Sequence, residues 1–228
     1  MNKKILVVGS LNIDMVVTAP NVPKIGETII GHSFQTNAGG KGANQAAAIS
    51  KLGGNVKMLG CVGDDNYGKT LKNYLKETGV DVSPVIEIKN QESGIAVITV
   101  DDNGNNNIIV VQGANKYCTP DYIDKNRELI EQCDLIVLQI EIPLETVKHC
   151  IRIAHDLNKI IVLNPAPATM LNDELYPMID FLIPNETELE IISNRKLNSM
   201  DDIILAAKSI INKGAKNLIV TLGDKGSL

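Results

Sequence analysis

Aromatic residues are scarce in this sequence, and tryptophan is absent. Only 3% of the 228 residues are Phe, Trp or Tyr, and the 27 acidic residues outnumber the 22 Lys and Arg residues. Surfaces that bind nucleic acid usually combine an excess of basic residues with aromatic side chains on which bases stack. The composition therefore argues against nucleic acid as a partner.

Long apolar runs are also missing. No uninterrupted run approaches the roughly 20 residues that a membrane helix needs. The short run at 5–8 follows two lysines, but polar residues soon interrupt it, which argues against a signal peptide. The cysteines form no CxxC pair, so we expect reduced, buried thiols at Cys61, Cys118, Cys133 and Cys150. We therefore expect a cytoplasmic protein without a membrane partner.

Short apolar runs recur along the chain without a polar residue at every second position. This pattern predicts strands that are buried on both faces, at 5–8, 56–59, 135–140, 160–163, 181–183 and 218–222. Helical patterns separate most of them, at about 43–52, 67–78, 119–132, 144–157 and 200–213. The alternation predicts an α/β fold with a mainly parallel central sheet between helices.

A second group of strands interrupts this alternation. The patterns at 15–19, 27–35, 95–101 and 108–112 are typical of antiparallel strands that are too short to form a core of their own. We interpret them as a small accessory sheet, drawn from about 15–35 and 94–112. The prediction is one domain, 1–228, that carries this sheet at its side.

Polar and acidic residues follow most strands of the predicted central sheet. Examples are Asp14 after the first strand, Glu141 after the third and Glu188 after the fifth. Ligands of open parallel sheets bind beyond the carboxyl ends of the strands. Polar residues are also common in any loop, and Asn or Asp often caps a helix, so a single position is ambiguous. The set as a whole favours a binding site.

The segment 36–54 (TNAGGKGANQAAAISKLGG) places Lys41 between two glycines at the start of a predicted helix. It is not a Walker A loop, because position 35 is Gln and Lys41 precedes Gly rather than Ser or Thr. We expect the helix start to offer unpaired N–H groups to a hydroxyl-rich ligand, with hydrogen bonds added by Lys41 and Asn44. The alternative is a helix packed through small residues, with an incidental lysine.

Segments 9–14 (GSLNID) and 39–46 (GGKGANQA) together resemble the N-terminal signature of the ribokinase group in the PfkB carbohydrate kinase family. Further matches follow in order at 62–68, 139–143, 163–168, 184–188 and 221–226. The resemblance implies a ribokinase-like three-layer sandwich with a small antiparallel lid sheet. It also implies ATP-dependent phosphorylation of D-ribose at O5.

The resemblance implies two groups of site residues. The sugar group comprises Asn12, Asp14, Gly40, Lys41, Asn44 and Glu141. The nucleotide group comprises Asn185, Thr221, Gly223, Asp224 and Gly226, with Glu188 acting on Mg²⁺ through bound water. A helix cap is the alternative for Asn185, and an ordinary glycine turn is the alternative for 221–226. The implied cofactors are ATP, Mg²⁺ and K⁺, and the implied assembly is a homodimer formed through the lid sheet.

The family's catalytic aspartate lies in a Gly-Ala-Gly-Asp helix start, and no segment of this sequence matches it. We therefore assign no catalytic residue, place the family's base beyond Leu228 and expect residues 1–228 alone to transfer phosphate poorly. Two alternatives stay open. One is a non-catalytic sugar-binding or regulatory protein, and the other is a related PfkB kinase for fructose, a deoxy-sugar or a nucleoside.

Overall fold

A parallel sheet of six strands forms the centre of the molecule. The computed structural model describes residues 3–228. In spatial order the strands are β12 (Asn217–Leu218), β11 (Phe181–Leu182), β10 (Ile160–Leu163), β9 (Leu135–Leu138), β1 (Lys4–Val8) and β4 (Asn55–Leu59). Every neighbouring pair runs parallel, which confirms the predicted central sheet.

Helices cover both faces of this sheet. One face carries α1 (Lys41–Lys51) and α2 (Asn66–Glu77). The core on the other face includes residues of α3 (Pro120–Lys125), α4 (Arg127–Gln132), α5 (Leu144–Asp156), α6 (Glu186–Ser193) and α7 (Met200–Asn212). Within β1, Val7 belongs to the first core and Leu6 to the second, so the strand must be apolar throughout. The fold is the expected three-layer α/β sandwich.

One predicted helix is divided in two. The pattern at 119–132 gives α3 and α4, which are separated at Asn126. Nδ2 of Asn126 donates to the carbonyl of Tyr122 at 2.8 Å, and the backbone N–H of Asn126 bonds Ile123 instead. The side chain thus takes the acceptor that a continuous helix would give to the backbone. Thr119 caps α3, because its side-chain oxygen accepts from the N–H of Tyr122.

The second sheet has four strands, in the order β3 (Ser33–Gly39), β2 (Asn12–Thr18), β7 (Gly94–Val100) and β8 (Asn106–Val111). The pairs β2–β3 and β7–β8 are antiparallel. The central pair, β2 and β7, is parallel, because both strands leave the main domain in the same direction. We call these four strands the lid sheet.

Two boundaries differ from the sequence analysis near the lid sheet. The pattern at 27–35 becomes a strand only from Ser33. Strand β1 ends at Val8, and Asp14 lies inside β2 rather than at the tip of a central strand. The polar pair Asn12 and Asp14 interrupts the apolar pattern, but both residues are paired within the lid sheet.

The remaining elements are short. Strands β5 (Cys61–Gly63) and β6 (Ile86–Ile88) form a separate parallel pair, and 3₁₀ turns lie at Gly113–Tyr117, Asp173–Met178 and Gly223–Lys225. The predicted strand at 218–222 is a regular strand only at Asn217–Leu218. Beyond it, Ile219 and Thr221 still donate to the carbonyls of Leu182 and Pro184, and Val220 forms two backbone hydrogen bonds with Leu228. Across residues 3–228, none of the helices combines the length and the apolar character that crossing a membrane requires. The four cysteines are free and buried.

Candidate functional site

Two glycines bring the start of α1 against the loop between β1 and β2. A Cβ added to Gly42 would lie 2.7 Å from the backbone nitrogen of Ser10, and one added to Gly40 would lie 2.7 Å from that of Asn12. Gly40 also has a φ of +89°, which residues with a side chain rarely adopt. Side chains are therefore excluded here because two stretches of the chain's own backbone touch.

The first three N–H groups of α1 all find acceptors within the protein. The N–H of Lys41 donates to Oε2 of Glu141 at 3.0 Å, and that of Gly42 donates to Oγ of Ser10 at 3.3 Å. The N–H of Ala43 donates to the Ser10 carbonyl at 2.9 Å. The N-cap residue is a glycine, so distant residues cap the helix instead. The expectation that this helix start offers unpaired N–H groups to a ligand is therefore wrong.

The carboxylate of Asp14 lies against the backbone of Gly39. A Cβ added to Gly39 would lie 2.2 Å from Oδ2 of Asp14. Burial raises the pKa of Asp14, the negative charge of Glu141 raises this pKa further, and the positive charge of Lys41 lowers it. Gly39 lies two residues before Lys41, whose backbone N–H donates to Glu141 at 3.0 Å. The fold therefore brings Asp14, Lys41 and Glu141 into one neighbourhood.

One oxygen of Glu141 carries two hydrogen bonds. Oε2 accepts from Oγ of Ser10 at 2.5 Å and from the N–H of Lys41 at 3.0 Å. Among residues 3–228, no hydrogen bond to Oε1 is formed, which leaves this second oxygen available to a ligand.

A cavity of about 460 Å³ opens beside these residues, between the ends of the central strands and the lid sheet. Its volume is within the range of about 300–1,000 Å³ that is common for small-molecule sites. Lys41 and Glu141 line it, and β8 contributes Ile108 and Val110. Glu188 lines it as well, so the cavity extends from the sugar group predicted by the sequence to the nucleotide group.

Glu188 is held at the start of α6. Oε2 of Glu188 accepts from the N–H of Asn185 at 2.8 Å, and Oδ1 of Asn185 accepts from the N–H of Glu188 at 2.7 Å. This reciprocal pair is a capping box. Nδ2 of Asn164 also lies 3.4 Å from the same carboxylate oxygen. The contacts that Asn185 makes within the protein are therefore those of a helix cap.

Comparison with known proteins identifies the family. Residues 2–228 match the model of the pfkB family carbohydrate kinases. The chain belongs to the PfkB family. It is 42% identical to the deoxyribokinase of Salmonella typhimurium over 225 residues, which are 98% of this chain and 74% of that protein. It is also 42% identical to the ribokinase of Bacillus subtilis over 223 residues, 98% of this chain and 76% of that protein.

A solved structure supports the same assignment. The ribokinase of Arabidopsis thaliana, complexed with ribose and ATP, superimposes on this chain with a TM-score of 0.88 at 34% identity. The superposition covers 100% of this chain and 74% of the plant protein. The PfkB chain described here thus shares both fold and sequence with a sugar kinase.

The predicted ATP turn of this PfkB chain lies at the surface. Thr221 bridges to Asn185, and its N–H donates to the Pro184 carbonyl at 2.9 Å. Gly223 and Gly226 have positive φ values of 63° and 87°, and all of Thr221, Gly223, Asp224 and Gly226 are exposed. The fold thus places the turn beside Asn185, but none of its residues lines the cavity.

Two members of the predicted sugar group differ in their surroundings. Asn12 is buried, and its Oδ1 accepts from Nδ2 of Asn115 at 2.8 Å. Asn44 is exposed on α1, one turn beyond Lys41 and on the same side of the helix. Asn12 is therefore occupied by a contact within the protein, whereas Asn44 is accessible.

Several residues that shape this PfkB site were missed by the sequence analysis. Ser10 binds Glu141, and Asn115 binds the loop that precedes Asp14. Gln139, which is fully buried, donates from Nε2 to Oε1 of Gln45 at 2.5 Å. A buried polar residue gives no periodic signal, so these contacts could have been inferred only from the fold.

Proposed function

We propose that this chain carries the sugar site of an ATP-dependent kinase that transfers the γ-phosphoryl group to O5 of D-ribose. The observation that supports the proposal is geometric: Asp14 lies against Gly39, the N–H of Lys41 binds Glu141, and Lys41 and Glu141 line a cavity that extends to Glu188. The plant ribokinase complexed with ribose and ATP has the same fold, which agrees with this assignment.

The charged groups suit the recognition of a polyol. A carboxylate accepts hydrogen bonds from two hydroxyl groups, and an ammonium group donates to ring or hydroxyl oxygens. We assign the acceptor roles to Asp14 and Glu141 and the donor role to Lys41. Asn12, Gly40 and Asn44 remain predicted members of this group. Buried polar groups left unpaired would reject an analogue that lacks a hydroxyl, by about 10⁴-fold in favourable cases.

We assign the nucleotide side to the end of the cavity near Glu188. Within residues 3–228, no three His, Cys, Asp or Glu side chains converge as a metal site. A single carboxylate fits Mg²⁺, which usually keeps several waters and binds one or two carboxylates together with substrate phosphates. Bound Mg²⁺ supplies positive charge to the transferred phosphoryl group. Asn185, Thr221, Gly223, Asp224 and Gly226 remain predicted ATP contacts, and K⁺ activation remains a prediction from the family.

Sugar identity is tested by binding. We expect calorimetric titration to give tighter binding of D-ribose than of 2-deoxy-D-ribose, fructose or adenosine, and Asp14→Ala to abolish it. Stronger binding of 2-deoxy-D-ribose would favour a deoxyribose kinase, a candidate supported by 42% identity to a deoxyribokinase. Failure of all four compounds to bind would contradict the proposal.

Turnover separates the kinase from a binding protein. Residues 1–228 alone are predicted to transfer phosphate poorly, which an ATP-coupled assay with ribose measures directly. Ribose binding without turnover, in residues 1–228 and in any longer form of the protein, would identify a non-catalytic sugar-binding or regulatory protein.

The outer face of the lid sheet supports the proposed homodimer. Val97 pairs with Ile109, so both side chains lie on the face opposite to Ile108 and Val110, which line the cavity. Ile109 is 68% exposed, and Phe34, on the same face, is 63% exposed. Exposed apolar side chains clustered on one face often mark a surface that contacts another protein chain. We expect a dimer by analytical ultracentrifugation and a monomer for Ile109→Lys; a monomeric wild-type chain would contradict this.

A further inference from the structure

We propose that Ser10 is a positioning residue that holds the Glu141 carboxylate in its ligand-binding orientation. The proposal rests on the function proposed above, because it assigns Ser10 a part in the same sugar site. Ser10 lies in the loop between β1 and β2, and 131 residues separate it from Glu141.

The direction of the Ser10 hydrogen bond is fixed by its neighbours. Ser10 is fully buried, and its Oγ accepts from the N–H of Gly42 at 3.3 Å. A backbone N–H can only donate, so the single hydroxyl hydrogen of Ser10 is free to point at Glu141. It donates to Oε2 at 2.5 Å, a length typical of hydrogen bonds between a hydroxyl and a carboxylate.

This bond decides which carboxylate oxygen meets the ligand. The terminal torsion of a glutamate side chain has broad minima, so the carboxylate rotates readily unless it is held. Ser10 and the N–H of Lys41 both bind Oε2, which fixes the plane of the carboxylate and leaves Oε1 for a sugar hydroxyl. Without the Ser10 hydroxyl, one backbone N–H alone would hold Glu141.

A purely structural role for Ser10 predicts a different result. The Ser10 hydroxyl also caps α1 by accepting from the N–H of Gly42, so its loss could weaken the helix start without acting on Glu141. In that case the loss of the hydroxyl would matter equally whether or not Glu141 is present. The two roles are distinguished by a double-mutant cycle.

The experiment compares D-ribose affinity in the wild type, Ser10→Ala, Glu141→Ala and the double variant, by NMR titration into the millimolar range. A hydrogen bond to a charged group predicts about 10- to 100-fold weaker binding in Ser10→Ala. The same change in the Glu141→Ala background should weaken binding less than about twofold, within the usual error of additivity. An equal effect in both backgrounds, or no effect in the wild type, would overturn the proposal.

A matched control and a second measurement complete the test. Ser50→Ala removes a hydroxyl on the same helix, which donates to the Thr78 carbonyl at 2.7 Å, and should leave ribose affinity unchanged. If the wild type does not bind ribose, the proposed function fails and amide exchange decides the role of Ser10. Ser10→Ala should then speed exchange of the Lys41 N–H, which contacts Glu141 rather than Ser10, and should speed it less in the Glu141→Ala background. A weakened helix start would speed it equally in both backgrounds, and that result would overturn the proposal. Unchanged Lys41 exchange would overturn the proposal.

Discussion

Asn115 binds Asn12 across 103 residues of sequence. Its Nδ2 donates to Oδ1 of Asn12 at 2.8 Å and to the Leu11 carbonyl at 3.1 Å, and its Oδ1 accepts from the Leu11 N–H at 2.9 Å. Asn115 is buried, and β2 begins at Asn12. This side chain therefore fixes the point at which the lid sheet leaves the main domain.

Asn115→Ala should destabilise the protein substantially. The backbone groups of Leu11 would lose their partners while still buried, and each such group costs about 1–3 kcal/mol. We expect urea denaturation to show a loss of about 2–4 kcal/mol in the free energy of unfolding. The matched control is Asn107→Ala on exposed β8, where the change should stay within about 0.5 kcal/mol. A loss no larger than that of the control would contradict this role for Asn115.

Gly42→Ala should reverse the usual effect of this substitution. In a helix, alanine in place of glycine normally stabilises by about 0.5–1 kcal/mol. At Gly42 the new Cβ would lie 2.7 Å from the Ser10 nitrogen, so the backbone must shift. We expect a loss of about 1–3 kcal/mol in urea denaturation without sugar.

Asn44→Ala serves as the control for Gly42→Ala. It lies in the same turn of α1 but is exposed, so alanine should leave the free energy of unfolding equal or slightly higher. A Gly42→Ala variant as stable as the wild type would show that the loop and the helix can separate without cost.

The sequence predicted the central sheet because its signal is local. Strands such as β1 contact a core on each face, so apolar residues must fill consecutive positions. The sequence analysis also selected Asp14, Lys41 and Glu141, from polar residues after predicted strands and from motifs of the family, and the fold brings these three residues together. Local pattern and resemblance together were sufficient for these features.

Contacts between distant segments were not predictable in the same way. Ser10 and Glu141 accept hydrogen bonds from the first N–H groups of α1. In the sequence these N–H groups have no local acceptor, because the N-cap residue is a glycine without a side chain. The parallel contact of β2 with β7 likewise depends on where both strands leave the main domain. Hydrophobic periodicity describes one element at a time and carries no information about such pairings.

Two buried tyrosines should respond differently to the loss of their hydroxyl groups. The Tyr122 hydroxyl donates to the Pro84 carbonyl and also lies 3.3 Å from the Gly60 carbonyl. Within residues 3–228, the buried Tyr176 hydroxyl has no hydrogen-bond partner. Tyr122→Phe should therefore lower the free energy of unfolding by about 1–2 kcal/mol, whereas Tyr176→Phe should leave it unchanged or raise it by up to about 1 kcal/mol. Equal losses in urea denaturation would contradict the difference.

The ionised carboxylate of Asp14 should lower the stability of the folded protein at neutral pH, because it is partly buried and lies near Glu141. Burial and the charge of Glu141 raise its pKa above the ordinary 3.8, so the folded protein binds this proton more tightly than the unfolded chain does. The free energy of unfolding therefore falls as pH rises from the pKa of Asp14 in the unfolded chain to its higher pKa in the folded protein. This loss persists at pH 7. Asp14→Asn should be more stable than the wild type at pH 7, and this gain should vanish at about pH 3, where both states are protonated.

Asp81→Asn is the control of opposite sign. The hydrogen bond from Lys57 lowers the pKa of Asp81 to about 2, so its stabilisation is present above the ordinary pKa of 3.8 and is lost as pH falls toward 2. This variant should be less stable than the wild type at pH 7, by a modest amount because the pair is partly exposed. Both variants are compared by urea denaturation at pH 7 and pH 3, with ribose titration of Asp14→Asn at pH 7. A less stable Asp14→Asn at pH 7 would mean that the contact with Lys41 outweighs burial.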